Sequence, residues 1–215
     1  MMKKRLLFLT LLTLIGGFLF VPYSNSSWNV SIQNWLIFPF ASAIVILLLG
    51  WLGLKLADKT NLPMPILRKW EKNEKIEKSD WKILLIPAVL GAALAFITAF
   101  LTQYFDAPKN PGTLLMRILT TPWAATVTEV VSHLLVMSVL VLLLKNRWAA
   151  IIISSLIFVA LFHLQNIEGD IKTTIFLSAG NFAGSTLTGW FYSKYGFESA
   201  LLGHATMHLI LLSIN

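Results

Sequence analysis

Apolar stretches of bilayer-spanning length, repeated along the chain and divided by short polar breaks, constrain this sequence more than anything else in it. An α-helix needs about 20 residues to cross the hydrocarbon core of a membrane. Stretches near that length lie at 5–23, 35–57, 82–104, 120–144, 148–165, 173–193 and 197–214. Of 215 residues, 56 % are hydrophobic and only 13 % are charged, against about a quarter charged in a soluble domain. The expected fold class is therefore all-α, a polytopic membrane helix bundle with about seven transmembrane helices. A water-soluble enzyme, a disordered chain and a secreted disulfide scaffold are excluded. The chain has no cysteine, which also excludes thiolate metal sites, cysteine nucleophiles and thiol-linked lipid anchors.

The net charge of +7 would suggest a nucleic-acid partner in a soluble protein. Its distribution here points instead to membrane loops, and no nucleic acid is expected. With seven crossings, 14 basic residues fall on the side of the N-terminus and three, Lys109, Arg117 and Lys172, on the other. The positive-inside rule then places the N-terminus in the cytoplasm. The first stretch follows Lys3, Lys4 and Arg5, and no A-x-A-like site follows Val21-Pro22-Tyr23, so an uncleaved helix is expected there. The polar connector from Asp58 to Asp80 pairs Glu71 with Lys75 and Glu74 with Lys78 at i,i+4 spacing, which predicts a short surface helix. Glu71, Glu74 and Glu77 dilute its basic field, and it reads as a solvated connector rather than a lipid-head contact. Residues 1–79 form two helices plus this connector, 80–215 form the core, and the whole makes one structural domain.

Ionisable side chains deep in a spanning helix each cost about 2.5–3.5 kcal/mol on insertion scales. Yet Glu129 and all four histidines, His133, His163, His204 and His208, fall inside the apolar stretches. Glu129 and His133 are four residues apart, as are His204 and His208, so each pair shares a helix face. Three helices can thus aim a carboxylate and several imidazoles at one interior point. Such a set suits a divalent metal with an open water position, or general-base activation of water by Glu129. HATMH lacks the glutamate of the HExxH helix, so any catalytic carboxylate must come from another helix. Interhelical hydrogen bonding is the plainer use of such residues.

Other features read as packing. Gly180 and Gly184 form a GxxxG step continued by Ser185 and Gly189, which predicts close helix approach. Asn181 on the same helix is assigned to packing. Trp123, Trp148 and Trp190 suit an interfacial aromatic belt, Arg117 suits snorkelling to the outer interface, and Pro122 suits a helix start or kink. Gln165 and Asn166 are placed at the site entrance.

The order Glu, His and HxxxH on separate late helices resembles the CAAX prenyl protease and bacteriocin-processing (CPBP, Abi-type) family of intramembrane enzymes. Its EExxxR motif aligns with Thr128-Glu129-Val130-Val131-Ser132-His133, and its FxxxH motif with Val159-Ala160-Leu161-Phe162-His163. Its HxxxN or HxxxD motif aligns with His204-Ala205-Thr206-Met207-His208. The resemblance covers about residues 80–215. Thr128 stands at the family's first glutamate, His133 at its arginine, Val159 at its phenylalanine with Phe158 one residue early, and His208 at its terminal Asn or Asp.

The resemblance implies an integral protein of a bacterial plasma membrane that acts as an endopeptidase on a membrane-proximal or lipidated peptide. Its partners would be membrane lipids and a peptide or lipidated protein substrate. Glu129, His163 and His204 would be catalytic, and His163, His204, His208 and His133 would hold a divalent metal such as zinc. Because a Thr128 hydroxyl is no general base near neutral pH, two readings stay open: Glu129 has taken over water activation, or the chain is a non-catalytic member that binds a membrane partner. A small proton or metal transporter is a third reading.

Overall fold

The polar breaks in the sequence become helix ends. The computed structural model describes residues 2–24, 29–104, 113–163 and 170–214, apart from the side chains of Tyr23, Phe162, His163 and Ile214. Among these every element is helical: α1 (Lys3–Ser24), α2 (Ile32–Lys59), α3 (Pro65–Glu71), α4 (Lys78–Thr102) and α5 (Leu114–Thr128). A π-helical segment, Glu129–Met137, joins α5 to α6 (Ser138–Leu144) in one rod, and a second, Val159–His163, extends α7 (Arg147–Phe158). Then come α8 (Ile171–Tyr195) and α9 (Phe197–Ile214). Lys3–Pro22, Ile32–Lys59, Lys78–Thr102 and Leu114–Leu144 are long and apolar enough to cross a membrane, and Arg147–Leu161 is a shorter apolar helix. With α8 and α9 the rods number about seven, and the protein is an integral membrane helix bundle.

Outward faces of these rods carry exposed Leu, Ile, Val and Phe, such as Leu48, Leu85, Val89 and Phe100, which a bilayer solvates and water would not. Inward faces carry small residues and buried polar groups. α1 packs between α2 and α5, α4 lies along α9, and α9 also meets α5 and α8. The α4–α9 crossing is close because Gly91 faces Gly203: a Cβ built on Gly91 would lie 2.6 Å from the Gly203 carbonyl oxygen.

Three sequence expectations change at this level. The fourth rod starts at Leu114, not near 120, so Pro122 sits inside α5. Its missing N–H is tolerated there, and the Thr126 hydroxyl donates to the Pro122 carbonyl at 2.6 Å. Trp123 is not part of an interfacial belt. It stacks on Phe20 at 4.1 Å between ring centroids and packs beside Phe38, filling the crossing of α1, α2 and α5.

The connector is also built differently. Its helix is Pro65–Glu71, upstream of the expected i,i+4 pairs. Glu71 turns inward to Arg5 (Nε to Oε2, 3.0 Å), and Arg5 also bonds Asp58 at 2.9 and 3.0 Å. Lys69 holds Asp80 at 2.8 Å, and this hydrogen bond keeps the Lys69 ammonium above its ordinary titration range. The Glu198 carboxylate accepts from the Leu67 N–H at 2.6 Å, so the short helix is tied to the start of α9. It is a docked element, held by charges that point into the protein.

Candidate active site

Glu129 opens the π-helical segment of the long rod, where the backbone leaves i→i+4 bonding for the wider i→i+5 turn. π-Helical turns are rare and frequent at functional sites. Two of the three motif-like stretches, Glu129–His133 and Val159–His163, lie in such segments, while His204–His208 lies in α9. On the first, Val130, Leu134 and Met137 enter the apolar core, while Glu129, Ser132 and His133 are buried toward the polar centre.

The expected convergence is present for three of the five residues. Glu129 is fully buried, and its Oε1 accepts from His204 Nδ1 at 2.7 Å across from α9. Its Oε2 lies 2.9 Å from His133 Nδ1, one turn along its own rod, at an angle off the ideal hydrogen-bond line. His133 is fixed from its other side, since its Nε2 lies 3.1 Å from the Ser185 carbonyl on α8. A carbonyl only accepts, so Nε2 carries a hydrogen. The His133 Nδ1 lies against Glu129 Oε2 as a close polar contact rather than an aligned hydrogen bond.

His208 lies beside His204. Its ring lies 4.8 Å from that of His204, tilted by 41°. Of His163 the structure gives the backbone, at the end of the second π-helical segment, while its side chain lies outside the described residues, as do Gln165 and Asn166. Among the described residues no group of three or more His, Asp or Glu side chains is arranged to hold a metal ion. The reason is visible in the donors: both Glu129 oxygens and three of the four ring nitrogens of His133 and His204 are turned on one another or on Ser185.

Ser185 and Gly189 belong to the site, and sequence reading assigned them only to packing. A Cβ on Gly189 would lie 3.1 Å from His133 Nε2 and 3.2 Å from Ile151 Cγ2, so the bare backbone makes room for the imidazole. The GxxxG step itself is loose by comparison. A Cβ on Gly180 or Gly184 would meet its nearest neighbour only at 3.8 Å, an ordinary contact.

Residues 110–210 match the family of Rce1-like type II CAAX prenyl endopeptidases. Across this segment, just under half of the chain, the sequence is similar to that family. The matched residues include Glu129, His133, both π-helical segments and the His204–His208 pair, and they leave out α1 to α4. No curated protein and no solved structure matches the chain. The polar centre lies within the part of the chain that carries this similarity.

Proposed function

We propose that this protein is an active intramembrane endopeptidase, with Glu129 as the group that activates water. The carboxylate takes a proton as water attacks the scissile carbonyl, and returns it to the amine nitrogen as the C–N bond breaks. His204, held through Nδ1, fixes the carboxylate and presents Nε2 to the reacting groups. His163 is assigned to the developing oxyanion, and donors aimed at such charge contribute about 2.7–4 kcal/mol each. His133 packs against the buried carboxylate and holds it in place from its own rod. The substrate is a membrane-proximal peptide of a lipidated or leader-bearing protein, and by the charge count the N-terminus is cytoplasmic.

The observation that carries this reading is a fully buried carboxylate held between imidazoles from two different rods. Two packing residues would not require that arrangement at insertion costs of several kcal/mol. A metal would be held by His204 Nε2, His208 and His163, which belong to the set that the family resemblance implies. Zinc content of the purified protein and of its His163→Ala variant tests that set directly.

The test of the enzyme reading is cleavage of a prenylated or leader-bearing membrane peptide by the purified chain in a bilayer. Glu129→Gln should lower the rate by about 10²–10⁴. A rate unchanged in Glu129→Gln would remove this residue from the chemistry. A second reading, a peptide-binding member without hydrolysis, is favoured by Thr128 at the position of the family's first glutamate. It predicts peptide crosslinking to α9 with no cleavage.

A further inference from the structure

An apolar slot of about 740 Å³ runs between α1, α3, α4, α5 and α9. Leu12, Leu67, Ile118, Ala125 and Leu209 are among the residues that line it, and Glu198 is the one charged residue there among the described residues. Both Phe197 and Leu209 lie on its wall. At 1.5 Å per residue those twelve steps of α9 make it roughly 18 Å long, close to half the ~30 Å hydrocarbon core of a bilayer. Its length, direction and lining are those of one extended hydrocarbon chain.

The end of the slot beside α3 has the character of a headgroup region. Trp70 and Trp81 line it there and are 40 % and 56 % exposed, as tryptophans at a membrane interface are. Lys75, Lys78 and Lys82 are exposed beside Ile76 and Trp81, and among the described residues none of them forms an ion pair with an acid. The acids that would offset them are engaged elsewhere. Asp58 and Glu71 hold Arg5, Asp80 holds Lys69, Glu74 faces Lys72, and Glu198 bonds Leu67. Glu77 remains, as the cap of α4. Lys75, Lys78 and Lys82 thus outnumber Glu77 at this mouth, and the field that the sequence showed as diluted is net basic there.

We infer that the slot holds one hydrocarbon chain of an anionic phospholipid, whose phosphate rests among Lys75, Lys78 and Lys82. The chain would lie against Ala125 and Thr126, one turn from Glu129, and against Ala205, beside His204. The lipid joins α3 to the core from the membrane side, as Arg5 and Glu198 join it from within.

Full-length protein in bilayers containing phosphatidylglycerol with a photoreactive group midway along one acyl chain tests this. Crosslinks should map to 118–126 and 201–209, and should weaken when Lys75, Lys78 and Lys82 are all changed to Gln. A lysine near an anionic surface contributes on the order of five-fold in binding. Ala125→Phe should abolish slot labelling by filling its wall. Should that variant fail to fold, the triple lysine change alters only exposed side chains and decides alone. Three results would overturn the proposal: equal labelling by phosphatidylcholine, labelling confined to outward residues such as Leu85 and Val89, or full displacement by a prenylated peptide.

Discussion

His204 Nδ1 lies 2.7 Å from Glu129 Oε1, a bond that joins α9 to the π-helical segment across 75 positions of sequence. Removing the carboxylate leaves two imidazoles and the Ser185 carbonyl in a buried site arranged for a charge that is gone. Glu129→Ala should therefore destabilise the bundle by about 3–5 kcal/mol, measured as loss of folded protein against a denaturing detergent. Glu129→Gln keeps the shape and one acceptor, and should retain most of the stability while losing activity.

Gly189 makes the most specific demand among the small residues. Its absent Cβ lets His133 reach Ser185, so Gly189→Ala must push the imidazole or Ile151 by a few tenths of an ångström. Overpacking of this kind costs about 1–3 kcal/mol. If His133 serves Glu129, the variant should lower kcat more than it raises KM, and the pH profile should shift. A purely structural glycine would leave the profile where it was.

The helices were legible because hydropathy over twenty residues is a strong signal that tertiary contacts do not override. The meeting of Glu129, His133 and His204 was legible because i,i+4 spacing fixes a face and burial of charge demands a partner. Ser185 and Gly189 were not, since a backbone carbonyl and a missing methyl have no sequence chemistry of their own. The connector was misread because Glu71 has two basic choices, Lys75 along the helix and Arg5 across the fold. The buried Arg5 wins, as its charge has nowhere else to go.

The small-residue motif and the actual crossings give opposite expectations for alanine scanning. A Cβ on Gly91 would meet backbone at 2.6 Å, which cannot yield, whereas one on Gly184 finds Met207 Sδ at 3.8 Å. Gly91→Ala should destabilise by at least about 2 kcal/mol. Gly184→Ala should be neutral or stabilising by up to about 1 kcal/mol, because alanine is the better helix former. Thermal midpoints of the two variants in one detergent decide it, and a reversed order would contradict the α4–α9 packing described above.

Arg5 is 4 % exposed and binds Asp58 and Glu71 together. Arg5→Ala strands the buried Glu71 carboxylate and should cost about 3 kcal/mol or more. Glu71→Gln should cost less, since Asp58 still pairs with the arginine. Proteolysis within 65–80 should rise sharply in Arg5→Ala if this pair docks α3, and an unchanged cleavage pattern would show that Glu198 alone holds it.

Asp170 caps α8, accepting from the Thr173 N–H at 2.8 Å, and that bond holds its carboxyl below the ordinary range. A carboxyl lowered in the folded state stabilises that state above its unfolded value, about 3.9, and loses the contribution as pH falls through the folded one. Asparagine caps a helix without titrating. The stability difference between the native chain and Asp170→Asn should therefore be constant from pH 7 down to about 5. Below about pH 4 it should move steadily in favour of the asparagine variant. Thermal unfolding of both proteins across that range measures the difference, and a flat line would show that the cap makes no pH-dependent contribution to holding the start of α8.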